Sequence, residues 1–330
     1  MKSWWMLMTD VDTVLEQREV PTPEPGPGQL LVHMHAASLN RGEFVVGHGL
    51  HGKAGSWKAV GGEGAGTVVA LGAGVNAADW PLGSRVMGRC AGGFAEYARI
   101  DVAEAMAVPP NLGWDEAASI PLAYLVTFDM LVLQGRLQRG EWMLINGVSS
   151  GVGVAALQLG KALGARVIGT SGSAAKLALL QAQGLDVALH TRAPDFAAPV
   201  LQATGQQGAN LVINTVGGSV FAENLRAMAF EARLATVGYV DNVLHADLDL
   251  GALHAKRLTL FGVSNKLRTP AQKAAAVPRF VAEVLPLFGS GALRPHIDRS
   301  YPFDELPAAK ARMEAGAHVG KIVLRLSQAA

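Results

Sequence analysis

The chain has 330 residues, of which 50% are hydrophobic and 17% are charged. A chain of this length is expected to form two domains, and its composition excludes wholesale disorder. The formal net charge of +1 gives no overall basic field for nucleic acid. Because Cys90 is the single cysteine, an internal disulfide framework and a cysteine-rich zinc site are also excluded.

Neither a targeting segment nor a membrane span is expected. The apolar run that begins the chain is short, lacks a small-residue cleavage pattern, and is followed by Asp10 and Asp12. The longest charge-free stretch, 196–222, contains a proline, several amide side chains and glycines, which make a poor membrane span. The sequence therefore predicts a cytoplasmic protein with neither membrane nor nucleic-acid partners.

The first third of the chain has the pattern of short strands. A loop rich in proline and glycine at 21–28 cannot be helical, and the alternation at 30–35 predicts a strand. Short apolar runs separated by glycines at 60–86 indicate a small barrel or twisted sheet. From about residue 124 to 263, strand and helix patterns alternate, as is typical of a parallel sheet. The tail predicts a helix at 303–315 and a strand at 321–326.

A glycine turn at 147–153 lies between a predicted strand at 142–146 and a helical pattern at 154–163, and a second strand follows at 166–170. This is the context of a dinucleotide fingerprint, in which glycines let the backbone approach a pyrophosphate at a helix N-terminus. A purely structural turn is the alternative, and a serine stands where one glycine is common. The predicted phosphate contacts are Ser149, Ser150, Gly151, Val152 and Gly153.

The same region indicates which nicotinamide cofactor is bound. An NAD site usually has an acidic residue after the second strand, but no Asp or Glu occurs between Glu141 and Asp186. Ser171 ends the second strand, and Lys176 and Arg192 follow it, which suits a 2′-phosphate. Unless both cations are ordinary solvated charges, the sequence predicts NADPH in preference to NADH.

Several further motifs occur in a familiar order: the glycine-rich turn at 62–66, the run at 68–75, the turn at 83–86, and the segments at 117–127 and 301–324. Together they resemble the medium-chain dehydrogenase/reductase superfamily, in particular its zinc-independent quinone oxidoreductase branch. The resemblance implies an α/β fold with two domains and a cofactor cleft between them. The two implied domains are a GroES-like β-barrel domain at 1–123 and 264–330, and a Rossmann domain with a doubly wound parallel sheet at 124–263.

The resemblance also implies that zinc is absent. Zinc-dependent relatives carry a Cys at the position of Asn40 and a His at that of Gly62, and the four cysteines of their structural zinc are missing. A rival metal site could use His33 and His35, which share one face of a predicted strand, with His48 and His51 nearby in sequence.

The activity implied is hydride transfer from NADPH to a quinone or an α,β-unsaturated carbonyl compound. The sequence shows no Ser-His-Asp order and no isolated carboxylate pair, which fits chemistry carried by a cofactor. Relatives often have an Asp at position 43, an Arg at 47 and a Tyr at 51, where this chain has Glu43, Gly47 and His51. The candidate proton donors in the pocket are His48, His51 and Tyr124.

Matching positions imply further roles. Thr127 would lie near the nicotinamide amide, and Asn40 at the junction of cofactor and substrate. The remaining positions expected to face the cofactor are Gly238 and Tyr239, which follow a strand predicted at 234–237, and Ser264 and Asn265.

Two alternative functions stay open. One is an enoyl-thioester reductase of the same superfamily, for which Lys53, Lys58 and Arg89 would be scattered basic groups. The other is a non-catalytic NADPH-binding regulatory protein. The apolar strand expected at 258–261 would form a sheet edge, and covering that edge predicts a homodimer.

Overall fold

The computed structural model describes residues 1–9, 12–44 and 55–326, which fall into two compact units. The discontinuous unit consists of Met1–Leu125 and Lys266–Ala330. The parallel-sheet unit is Val126–Asn265.

The first segment of the discontinuous unit is mainly antiparallel sheet. β1 pairs with β2 and β4, while β3 pairs with β5 and β7, and β6 joins β5 to β8. Along β3, apolar side chains dominate and most are buried, so the strand lies in the core. The elements in chain order are β1 Lys2–Met8, β2 Thr13–Glu19, β3 Gln29–Ser38, a 3₁₀ turn Arg41–Glu43, β4 Trp57–Ala59, β5 Glu63–Leu71, β6 Arg85–Arg89, β7 Tyr97–Asp101, a 3₁₀ turn Val102–Glu104, β8 Ala105–Ala107, α1 Trp114–Ala118 and α2 Pro121–Phe128.

The parallel-sheet unit alternates strands and helices, as the sequence predicts. Its six strands are all parallel in the order β11-β10-β9-β12-β13-β14, so the sheet is doubly wound and its order reverses between β9 and β12. After a π-helical turn, Asp129–Leu133, come β9 Trp142–Asn146, α3 Gly151–Ala162, β10 Arg166–Ser171, α4 Ala174–Gln181, β11 Val187–His190, α5 Ala197–Ala203, β12 Ala209–Asn214, a 3₁₀ turn Gly218–Val220, α6 Phe221–Ala227, β13 Met228–Thr236, α7 Leu250–Ala255 and β14 Thr259–Gly262.

The chain then returns to the discontinuous unit. β16 pairs antiparallel with β3, and this pairing brings Val323 opposite Ser38. Residues that are far apart in sequence therefore become neighbours at the end of β3. The closing elements are α8 Pro270–Ala274, α9 Val277–Glu283, α10 Leu285–Gly289, β15 Ile297–Pro302, a 3₁₀ turn Phe303–Glu305, α11 Leu306–Glu314 and β16 Lys321–Arg325.

Each unit has its own apolar core. In the discontinuous unit, Trp4 packs with Phe303 and donates a 2.9 Å hydrogen bond from its indole nitrogen to the Phe303 carbonyl. In the parallel-sheet unit, Leu144 and Ile168 are fully buried under the helices. Burying each such side chain contributes about 1.5–3 kcal/mol.

The predicted α/β fold with a doubly wound sheet is confirmed, and most differences lie at element ends. Helix α3 begins three residues before the predicted start at 154, because Ser150 caps it. The helix predicted at 303–315 is a 3₁₀ turn followed by α11, whose first turn carries Pro307. Strand β13 begins well before 234, and β1 was not predicted. In the parts of the chain that the structure describes, no helix has the length and apolar character to span a membrane.

Candidate functional site

The glycine turn after β9 leads directly into the N-terminus of α3. Ser150 is the N-cap, and its Oγ accepts a 3.0 Å hydrogen bond from the Gly153 N–H. A Cβ at Gly153 would lie 2.6 Å from the Gly147 carbonyl oxygen and 2.7 Å from that of Val148. Only glycine allows this close approach. The other N–H groups of the first helical turn have no partner within the helix, so this terminus suits an anion.

The residues predicted to bind the cofactor in the parallel-sheet unit lie at the carboxyl ends of the strands. Because all six strands are parallel, the segments that follow them meet at their carboxyl ends. Ser149, Ser150, Gly151, Val152 and Gly153 lie after β9; Ser171 ends β10, with Lys176 on α4; Arg192 follows β11; Gly238 and Tyr239 follow β13; and Ser264 and Asn265 follow β14. This is the edge where ligands bind in doubly wound sheets.

Basic and hydroxyl groups surround the turn after β10. Ser173 caps α4, the helix that carries Lys176. The Arg192 side chain lies so close to Gly172 that a Cβ there would overlap it. The turn is therefore shaped to bring Arg192 beside the end of the second strand. No acidic residue occurs between Glu141 and Asp186, so β10 and the turn after it carry no carboxyl group beside Lys176 and Arg192, the two residues of the basic corner.

A buried amide lies at the base of the glycine turn. Asn146 ends β9 and is fully buried, yet neither atom of its side-chain amide has a hydrogen-bond partner among the described residues. The Asn146 carbonyl oxygen accepts a 2.7 Å hydrogen bond from the Thr215 hydroxyl at the end of β12. An unpartnered buried amide is costly, so its place just before the turn into α3 fits a site completed by a bound ligand or water.

Helix α2 carries two of the predicted site residues. Thr127 is fully buried. Tyr124 is 2% exposed and packs edge to face with Phe288 at 4.8 Å between ring centroids. Burial raises the pKa of the Tyr124 phenol, which opposes its ionisation.

In the discontinuous unit, Asn40 belongs to a buried polar cluster centred on Glu63. The Glu63 Oε1 atom accepts hydrogen bonds from Ser38 Oγ at 2.6 Å, Asn40 Nδ2 at 2.8 Å and Lys321 Nζ at 2.9 Å. Its Oε2 atom accepts a 2.6 Å bond from the Leu122 N–H in the first turn of α2. Glu63 is thus fully buried but completely satisfied, and its charge complements the helix N-terminus.

A second carboxyl group, Glu43, lies beside this cluster. The 3₁₀ turn after β3 places its Oε1 3.3 Å from Asn40 Nδ2, while Oε2 is buried without a hydrogen-bond partner among the described residues. Burial and the Glu63 charge raise the pKa of Glu43 to about 7, against the opposing effect of Lys321. A Cβ at Gly62 would lie 2.6 Å from Glu43 Oε1, so glycine at position 62 makes room for this carboxyl group.

The expectation that no carboxylate pair exists is therefore wrong. Glu43 and Glu63 come together because β5 pairs with β3 just before the turn that carries Glu43. The sequence spacing of Asn40 and Glu43 was a partial indication that Glu43 belongs to this cluster. Lys321 lies in the 301–324 segment that carries the family resemblance, but sequence reasoning missed it as a site residue, because only the pairing of β16 with β3 brings it here.

The histidines of the rival metal site are only partly described. The rings of His33 and His35 lie 5.2 Å apart, as predicted for one face of β3. His35 also stacks on Trp114 at 4.4 Å and has its Nε2 3.0 Å from the Thr67 hydroxyl. His48 and His51 lie outside the described residues, as does Gly47. Within residues 1–9, 12–44 and 55–326, no group of three or more His, Cys, Asp or Glu side chains could hold a metal ion.

A doubly wound sheet with a glycine turn after its first strand defines the Rossmann class of dinucleotide folds. Comparison with known families agrees with this class. Residues 26–110 match the alcohol dehydrogenase GroES-like domain, and residues 151–280 match the family described as zinc-binding dehydrogenase. The chain belongs to the medium-chain dehydrogenase/reductase superfamily, as its motifs predict, and its first unit is GroES-like.

Individual proteins were also similar. A phenolphthiocerol/phthiocerol polyketide synthase from Mycobacterium tuberculosis is 30% identical over 95% of this chain, which spans only 14% of that protein's length. The solved structure of mycobacterial Rv1454c complexed with NADPH matches with a TM-score of 0.88 and 28% identity, covering 99% of this chain and 100% of the other. The mycobacterial quinone oxidoreductase Rv154c matches with a TM-score of 0.83 and 28% identity, at the same coverage.

Proposed function

We propose that this chain is an NADPH-dependent, zinc-independent oxidoreductase that transfers a hydride to a quinone or an α,β-unsaturated carbonyl compound. The main support is the set of segments that follow the carboxyl ends of the parallel strands. The glycine turn and the α3 N-terminus follow β9, and the basic corner follows β10 and β11. The similarity to a structure complexed with NADPH and to a quinone oxidoreductase supports it.

When bound, NADPH would supply the hydride, and the protein would bind and orient it. The first turn of α3 would hold the pyrophosphate through its backbone N–H groups. Ser171, Lys176 and Arg192 would hold the 2′-phosphate, for which charge-assisted hydrogen bonds from a guanidinium are well suited. Thr127 and the residues after β13 and β14 are the candidates for the nicotinamide end: Gly238, Tyr239, Ser264 and Asn265.

The zinc-independent part of the proposal rests on the Asn40 cluster. Asn40 uses its amide for hydrogen bonds to Glu63 and Lys321, and Gly62 offers no ligand atom from a side chain. Burial raises the pKa of the single thiol, Cys90, which opposes the thiolate form that binds metals. Proton supply to the reduced product would then come from water or a side chain.

An enoyl thioester is a second candidate substrate. The match of 95% of this chain to part of a polyketide synthase favours it. A bound thioester carrier would need basic contacts, but Arg89 is already committed to Glu104 at 2.6 Å and to the Lys273 carbonyl at 2.8 Å. Lys53 lies outside the described residues. We therefore rank enoyl-thioester reduction second, ahead of a non-catalytic NADPH-binding protein.

Assembly and location extend the same proposal. Strand β14 lies at the end of the sheet and pairs with β13 on one side, and its Leu260 and Phe261 are only partly buried. Covering this edge strand with its copy would give a homodimer. We also propose a cytoplasmic location, as the sequence predicts. Light scattering that gives a monomeric mass would reject the dimer without affecting the activity.

The activity is tested by following NADPH consumption with three substrates in parallel: a small 1,4-quinone, a simple enone and an enoyl-CoA. Each assay is repeated after treatment with a chelator. Turnover of the quinone or enone that survives the chelator is expected. Turnover of the thioester alone would support the second candidate. Tight NADPH binding without any turnover would support the non-catalytic protein, and loss of activity with chelator would contradict zinc independence.

A further inference from the structure

The buried cluster in the discontinuous unit holds two carboxyl groups but only one directly bonded cation among the described residues. Lys321 Nζ donates to the Leu39 carbonyl at 3.0 Å, to Asn40 Oδ1 at 2.7 Å and to Glu63 Oε1 at 2.9 Å. An ammonium group has three hydrogens, so these three acceptors use all of them. Lys321 is 5% exposed and therefore cannot exchange a protein acceptor for water easily. It neutralises Glu63 and has no hydrogen left for Glu43.

Glu43 consequently has no direct ion pair among the described residues. Its Oε1 accepts a long hydrogen bond from Asn40 Nδ2, and its Oε2 is buried without a hydrogen-bond partner there. A buried carboxylate without charge compensation is costly, and protonation removes that cost. Protonation on Oε2 also leaves Oε1 free to accept from Asn40. The geometry therefore favours a neutral Glu43 beside an ionised Glu63.

Four titratable groups act on Glu43 from the surrounding segments. Glu63 at the start of β5 opposes its ionisation, and Lys321 on β16 favours it. Lys58 on β4 and Cys90, which follows β6, both respond to the Glu43 charge. Burial lowers the pKa of Lys58, so this lysine is a weaker source of compensating charge than a solvated one.

Asn40 links the two carboxyl groups. Its two amide hydrogens go to Glu63 at 2.8 Å and to Glu43 at 3.3 Å, and its Oδ1 is held by Lys321. An ionised Glu43 would attract the amide and Lys321 away from Glu63. The protonation state of Glu43 therefore controls how the Asn40 side chain is held.

We propose that Glu43 is a positioning residue that carries a proton on Oε2 and, in this neutral form, holds the Asn40 amide in the orientation the reduction requires. The proposal rests on the proposed function and on the position at the junction of cofactor and substrate that the family resemblance implies for Asn40. Ionisation of Glu43 as the pH rises releases this arrangement and slows turnover.

The first test needs no turnover. The side-chain amide signal of Asn40 in the ¹H–¹⁵N spectrum of the full chain is assigned by its absence in Asn40→Asp. In the wild-type protein we expect this signal to shift between pH 5.5 and 8.5 with a midpoint near 7, the pKa of Glu43. Glu43→Gln should abolish the shift. A signal that does not respond to pH in the wild type, or that titrates unchanged in Glu43→Gln, would overturn the proposal.

The second test measures kcat and KM against pH. Above pH 7, wild-type kcat should fall towards about tenfold per pH unit, while KM for NADPH changes little. Glu43→Gln keeps a neutral side chain of similar shape, so it should remove the fall. The matched control is Glu24→Gln at an exposed position of the same unit, which should keep the wild-type profile. A fall that persists in Glu43→Gln would overturn the proposal. Absence of turnover throughout would reject the proposed function, whereas the amide spectrum would still decide the role of Glu43.

Discussion

The candidate site residues of the two units are held in place by different kinds of interaction. The parallel-sheet unit uses backbone: a glycine turn, a capped helix terminus and the shared carboxyl edge of parallel strands. The discontinuous unit uses side chains: the fully buried Glu63 accepts hydrogen bonds from Asn40 and Lys321, and Glu43 lies beside them with one carboxyl oxygen unpartnered among the described residues. A helix terminus that suits an anion can thus be built from local geometry, whereas a buried charge cluster needs partners from separate segments.

Removing the cation of the cluster should have the largest effect. Lys321→Met leaves Glu63 buried without charge compensation, which is expected to cost about 3–5 kcal/mol of unfolding free energy. Chemical denaturation measures this loss. The control Lys161→Met breaks the half-exposed pair with Asp186 and should cost at most about 1 kcal/mol. Equal losses of unfolding free energy in the two variants would mean that Lys321 does not compensate a buried charge on Glu63.

The pH dependence of stability should differ between the wild type and Glu43→Gln. The pKa of Glu43 rises from 4.5 when unfolded to about 7 when folded, so the folded chain binds the extra proton between these values. The stabilising contribution is complete below pH 4.5 and is lost as the pH rises through 7. Across this range the wild type should lose about 3 kcal/mol relative to Glu43→Gln. Parallel stability curves for the two proteins would contradict a proton held on Glu43.

The backbone site can be blocked with a side chain. Gly153→Val places a Cβ against the carbonyl oxygens of Gly147 and Val148, so the first turn of α3 must move. The dissociation constant for NADPH, measured by fluorescence titration, should rise about a hundredfold, equivalent to about 2.7 kcal/mol. In Gly289→Ala, where a Cβ has no close neighbour, binding should be unchanged. Wild-type affinity in Gly153→Val would remove the glycine turn from the cofactor site.

The choice between the two cofactors depends on a smaller interaction. Arg192→Ala should weaken NADPH binding about tenfold to a hundredfold and leave NADH binding nearly unchanged, because only NADPH carries the 2′-phosphate. Arg166→Ala at the opposite edge of the same sheet is the control, since Arg166 begins β10 and lies over Trp142. Equal weakening of NADPH and NADH in Arg192→Ala would argue against a contact with the 2′-phosphate.

The same contrast explains what could be predicted from sequence. The strand, turn and helix around Ser150 are contiguous in sequence, so local patterns predicted them with errors only at the element ends. The placement of Lys321 depends on β16 pairing with β3 across most of the chain, and no local pattern carries that information. Glu43 was recognised as a departure from related sequences, but its burial beside Glu63 depends on the pairing of β3 with β5.

The proposed activity of this chain is hydride transfer from NADPH without zinc. The most direct measurement uses NADPH carrying deuterium at both C4 positions of the nicotinamide, an enone substrate and a chelator. Mass spectrometry then locates the label in the product. We expect one deuterium on the carbon β to the carbonyl in each reduced molecule. Reduced product without deuterium, or the absence of product while the unlabelled quinone and thioester also fail to react, would contradict it.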